Sequence, residues 1–144
     1  MKVTRAVTLK APPQRVWDVL LDPAEFSQCI PGVEAFEALG GDKYTVTMKI
    51  GIGAVKGAFS GAVAVRDVDL GKSYSMDVHG RGSAGFVQGS GKISLAATPE
   101  GATEVTVDGD ANIGGTIAMV GQRMLSSAAN LMVDRFFGCI GERL

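Results

Sequence analysis

The apolar side chains of this chain recur with a period of two through its middle and a period near 3.6 at its end, and that change restricts the fold most. From residue 33 to about 113 the pattern alternates: Tyr44, Val46, Met48 and Ile50; then Phe59, Val63 and Val65; then Tyr74, Met76 and Val78. Val87, Ile93 and Leu95 follow, and then Val105, Val107, Ala111 and Ile113. These runs read as about five or six consecutive strands. Turn chemistry at Gly40-Gly41-Asp42, Asp69-Leu70-Gly71-Lys72 and Pro99-Glu100-Gly101 joins them as antiparallel hairpins. After Gly114-Gly115 the spacing of Ile117, Gly121, Met124 or Leu125, Ala128, Leu131 or Met132, Arg135 or Phe136, and Cys139 predicts one long helix without a proline.

The segment before this body follows the same logic. Residues 2 to 10 alternate as a half-buried strand with Val3, Val7 and Leu9 on one side; Arg5 shares that side and is expected near an end of the sheet. Pro12-Pro13 opens a short helix with Val16, Trp17, Leu20 and Leu21. Asp22-Pro23 caps a second, through Phe26 and Ile30, that Pro31-Gly32 closes. A curved antiparallel sheet followed by one amphipathic helix buries both apolar faces by wrapping around that helix. The predicted class is therefore α+β: a curved antiparallel β-sheet around a long C-terminal α-helix, with two short helices after the first strand.

At 144 residues the chain is expected to be a single domain, 1–144. Its formal charge of −1 and the absence of long charged runs argue against nucleic acid as a partner. The start lacks the pattern of a secretory signal, and no apolar run is long enough to span a bilayer. Cys29 and Cys139, far apart and in no CxxC, read as buried or half-buried thiols of a reducing compartment. The expected location is cytoplasmic, with peripheral contact at the inner face of the membrane.

Ala11-Pro12-Pro13-Gln14-Arg15-Val16-Trp17-Asp18-Val19-Leu20, followed by Asp22-Pro23 and by Cys29-Ile30-Pro31-Gly32-Val33-Glu34, resembles the carbon monoxide dehydrogenase G-subunit family. Gly80-Arg81-Gly82-Ser83-Ala84-Gly85, Gly114-Gly115, Leu125 and Phe136-Phe137 are also similar to that family. Over its whole length the chain resembles the wider polyketide cyclase, START and birch-pollen-allergen superfamily of helix-grip proteins. The resemblance implies an accessory protein that links a molybdenum-containing carbon monoxide dehydrogenase, or a related hydroxylase, to the membrane and its quinone pool. Some longer relatives carry a C-terminal extension, whereas this sequence stops at Glu142-Arg143-Leu144, which puts a permanent membrane tail in doubt.

Among the residues themselves, the inward phase of the strands includes Gly61, Gly89, Gly91 and Gly109. Such glycines either leave room beside the helix or serve only to bend the sheet. The expected lining of that room is Tyr44, Met48, Phe59, Met76, Val78, Met124, Leu125, Ala128 and Met132, although each is also an ordinary core residue. Flexible methionines suit an apolar guest of variable shape. Gly80 to Gly85 satisfies GxGxxG, but a strand pattern follows where a dinucleotide site requires a helix. The hairpin reading is that its tip is mobile and exposes Phe86 beside Arg81, as a gate to the cavity or a contact with an anionic bilayer, the alternative being an ordinary flexible hairpin.

His79 lies in the outward phase without a second ligand at metal spacing, so no metal is expected. Ser126-Ser127 lacks a nucleophile elbow, and Asp67, Asp69, Asp77, Asp108 and Asp110 fall at strand ends or in outward phase, so no catalytic residue is assigned. The expected function is binding of a quinone or other isoprenoid lipid in an apolar cavity, with no covalent cofactor. Two other readings stay open. One is a cyclase or hydratase that uses Tyr44, Tyr74, Arg5 and Asn112. The other is a structural adaptor of the dehydrogenase with a dry, filled core.

Overall fold

Alternation over the first residues folds as strand β1 (Lys2–Leu9). Proline at the first helical position then opens α1 (Pro13–Leu20), which buries Val16, Trp17, Val19 and Leu20. The Asp22 carboxylate accepts from the Ala24 amide at 3.0 Å and starts the single turn α2 (Pro23–Phe26), which runs into a 3-10 turn, Ser27–Cys29. Six strands follow: β2 (Val33–Gly40), β3 (Lys43–Ile52), β4 (Val55–Asp69), β5 (Ser73–Gly82), β6 (Gly85–Ala97) and β7 (Thr103–Gly114). A second 3-10 turn, Thr116–Val120, leads into α3 (Gln122–Glu142). The structure, a computed structural model, describes residues 1–144.

All seven strands form one antiparallel sheet in the order β1-β7-β6-β5-β4-β3-β2, so the six-strand meander gains β1 at its far edge. Register puts Tyr44, Val63, Val78, Gly89 and Ala111 in one row on the inner face. Arg5 points the same way from edge strand β1, where its Nε donates to Asp134 of α3 at 3.0 Å. The helix packs against that inner face, approaching β1, β4 and both 3-10 turns most closely.

The final helix differs from its predicted extent. Gly121, at φ +95°, separates the 3-10 turn from α3, a conformation open chiefly to glycine. Ile117 and Leu125 keep the spacing of one face, so periodicity alone does not reveal the break.

The cysteines also depart from expectation. Cys29 and Cys139 form a disulfide, with their Cα atoms 5.4 Å apart. The last turns of α3 lie over the 3-10 turn and bring together residues that are 110 apart in sequence, a proximity no local spacing reveals. Cysteine usage therefore gives no argument for a reducing compartment.

Only 19 of the 144 residues are buried, and 16 of them form two separate groups rather than one continuous core. The first joins α1 to the C-terminal end of α3 through Val16, Trp17, Tyr74, Val105, Phe137 and Ile140. The second joins the N-terminal end of α3 to the β3–β4 hairpin through Val55, Phe59, Ile117, Leu125 and Ala128. No helix is long and apolar enough to cross a membrane.

Candidate functional site: the inner face beneath the long helix

Between the two buried groups lies a stretch of inner face that α3 crosses without sealing. Val63, Val78 and Ala111 point inward there and stay only half-buried. From the helix side Met132 follows Leu125 and Ala128 on the same face and is also half-buried. A filled interior leaves few voids. A hydrocarbon-lined passage would need such side chains, apolar and still partly reachable under a helix.

The glycines of the inner face divide into two kinds. A Cβ on Gly61 would fall 1.8 Å from the His79 carbonyl oxygen, and one on Gly89 would fall 2.7 Å from that of Asp110. These two residues permit the close backbone approach of a bent sheet. At Gly91 the nearest atoms would be at 3.4 Å and at Gly80 at 3.8 Å, so a Cβ there would fit in ordinary contact. Gly109 lies between the two cases, with its nearest atom at 3.1 Å. Close backbone approach thus accounts for Gly61 and Gly89 and not for Gly91. Gly80 stands out in the sequence only as part of the hairpin motif, yet its pairing with Gly61 and Val87 places it on the inner face.

The predicted lining residues disperse over this surface. Tyr44 is buried at the β2–β3 edge, where its ring stacks on Phe36 at 5.1 Å and meets Phe26 edge-on at 5.4 Å. Burial, followed by the charge of Asp42, raises the Tyr44 phenol above its ordinary pKa. Phe59, Leu125 and Ala128 are buried in the second group, against which Met48 packs; Met76 packs on the first. Val78 and Met132 border the open stretch. Met124 departs from the set, being exposed at the start of α3.

Phe86 is exposed and sits directly opposite Arg81 across the β5–β6 pair, on the outer face, with its ring over Gly114. The hairpin tip, however, is held by its neighbours. The Ala84 carbonyl accepts from the Ile117 amide at 2.8 Å and from the Thr116 hydroxyl at 3.0 Å, which pins the tip to the second 3-10 turn. A tip free to move is not what these bonds describe.

Of the polar groups considered for chemistry, Asn112 lies outside the interior, on the outer face. Tyr74 is buried within the first group with Trp17 edge-on at 5.8 Å, and burial raises its phenol far above the ordinary value. Arg5 is taken up by Asp134, a partner that helical periodicity alone does not single out. On the outer face a solvent-open hollow of about 560 Å³ lies over Ala62 and Ala64, bordered by Asp77, His79, Gln88, Ser90 and Asp110. Its carboxylates are engaged. Hydrogen bonding to Arg66 holds Asp77 below its usual pKa, and the terminal amine and Lys2 do the same for Asp110.

A curved seven-strand antiparallel sheet gripping one long C-terminal helix, with short helices after the first strand, is the fold of the START and Bet v 1-like class. Within that class the chain belongs to the carbon monoxide dehydrogenase G-subunit family, CoxG, whose pattern matches residues 6–144. It is similar to a conserved protein from Geobacillus kaustophilus, at 36% identity and a TM-score of 0.95, covering 99% of this chain and 94% of that one. A START superfamily protein from Mycobacterium smegmatis shares the fold at 15% identity and a TM-score of 0.75, covering 99% and 95% of the two chains. An aromatase/cyclase from Streptomyces sp. R1128 does so at 16% identity and a TM-score of 0.72, covering 99% and 92%. No curated protein matches the chain.

Proposed function

We propose that this protein is a non-catalytic accessory subunit that holds one apolar molecule, a quinone or related isoprenoid, between its sheet and α3. The observation that supports this most is the half-buried apolar strip between the two core groups, with room for a side chain at Gly80 and Gly91. Burial of hydrocarbon contributes about 0.8 kcal/mol per CH₂, so a few prenyl units reach micromolar affinity without a charged anchor. Neither Arg5, paired with Asp134, nor the stacked Tyr44 stands ready for proton transfer.

Membership of the family supports a carbon monoxide dehydrogenase or related molybdenum hydroxylase as the partner enzyme. Transient contact with a membrane belongs to the same reading. Its support is the exposed set Phe86, Met119 and Met124 with Arg81 and Arg123 close to them in the chain, an apolar and basic combination suited to anionic lipid.

The test is native mass spectrometry of protein from its own host, extraction of any bound lipid, and titration with decylubiquinone. One apolar molecule per chain is expected, and Gly91→Leu, which fills the passage, is expected to weaken binding at least about tenfold with little loss of stability. Protein that is repeatedly empty and takes up no added quinone, or a Gly91→Leu variant that binds as before, refutes the interior site.

A further inference from the structure

The disulfide ties the segment between α1 and β2 to the end of α3. Cys29 ends the 3-10 turn that follows α2, and Cys139 lies in the last two turns of α3. Beside it, Arg143 pairs with Glu25, and the Arg15 guanidinium donates to the Arg143 carbonyl at 3.2 Å. On its other side the same short segment reaches the far edge of the sheet. Phe26 meets Phe36 of β2 at 5.5 Å and Tyr44 of β3 at 5.4 Å, both edge-on. The stretch from α2 to Cys29 thus bridges α3 and the β2–β3 edge, and one covalent bond holds its helix end.

We infer that the Cys29–Cys139 disulfide is a redox latch: oxidised, it keeps this bridge closed over the passage, and reduced, it lets the bridge lift and the bound molecule exchange faster. The inference rests on the interior site proposed above. Cys29 is almost fully buried while Cys139 is partly exposed, so Cys139 is the sulfur an external thiolate reaches. A dithiol attacks Sγ of Cys139, the S–S bond breaks, and Cys29 leaves as a thiolate that takes up a proton. The reagent's second thiol then closes on the mixed disulfide and releases Cys139. Two electrons and two protons pass to the protein, and the dithiol becomes a cyclic disulfide.

The experiment compares air-oxidised protein, protein reduced with dithiothreitol, and Cys139→Ser. Amide hydrogen exchange is read by mass spectrometry, and release of 1-anilinonaphthalene-8-sulfonate is followed by stopped flow. Reduction is expected to speed probe release by about tenfold, and to speed exchange over residues 22–32 and 136–142 about tenfold more than over the sheet peptides, which follow only the loss of global stability. Cys139→Ser should match the reduced protein and ignore dithiothreitol. Equal exchange in both redox states overturns the latch. So does a uniform rise across all peptides, which marks a general staple, or two free thiols titrated in the air-oxidised protein. If the probe binds in neither state, the interior site fails, and the exchange data alone still decide whether the segment is latched.

Discussion

Tyr74 shows how much one residue's setting matters. Burial in the first core group favours its neutral phenol and raises its pKa, whereas in the unfolded chain it titrates near the ordinary value of about 10. Its contribution to stability is therefore full below about pH 10 and is lost as pH rises from there toward the folded value. Tyr44 shifts in the same direction and adds to the effect. Urea unfolding between pH 8 and 11 should show stability falling at the alkaline end. Tyr74→Phe should flatten that fall by about 1.4 kcal/mol per pH unit. A slope unchanged by the substitution would mean that Tyr74 ionises in the fold as easily as in water.

At the scale of elements, β4 and β5 depend on a close approach that only glycine permits. A methyl group at Gly61 would overlap the His79 carbonyl, and neighbouring backbone has little room to yield. Gly61→Ala is expected to cost about 3 kcal/mol in a denaturant melt, at the upper end of overpacking effects, against a small change for Gly80→Ala. Alternation and turn residues make the meander, its hairpins and β1 legible in the sequence, because each depends on neighbours within about ten residues. What escapes depends on distant parts of the chain. Gly121 keeps the apolar spacing while breaking the helix, Asp134 meets Arg5 from 129 residues away, and Cys139 meets Cys29 only once α3 is laid across the sheet. The lining residues are legible as inward-facing. Which of them pack in a core group and which border the open stretch is a matter of tertiary contact, as the exposed Met124 shows.

For the molecule as a whole, the disulfide closes a loop spanning 110 residues, most of the fold. Cross-links of such length restrict the unfolded ensemble strongly, so reduction should lower the free energy of unfolding by about 2–5 kcal/mol, measured as a shift of the urea midpoint at unchanged slope. An unchanged midpoint would show that the other ties along α3 are sufficient alone.

The strand order also sets a sequence of events in time. β1 pairs with no strand except β7, matching Lys2 with Asp110 and Leu9 with Thr103, so a strand that leaves the ribosome ahead of the meander has its partner delivered almost last. During synthesis at about 5–20 residues per second, β1 and the apolar face of α1, with Val16 and Trp17, wait several seconds beside a growing meander. The part of this fold made earliest is the part that most needs shielding from unwanted association until the last strand emerges.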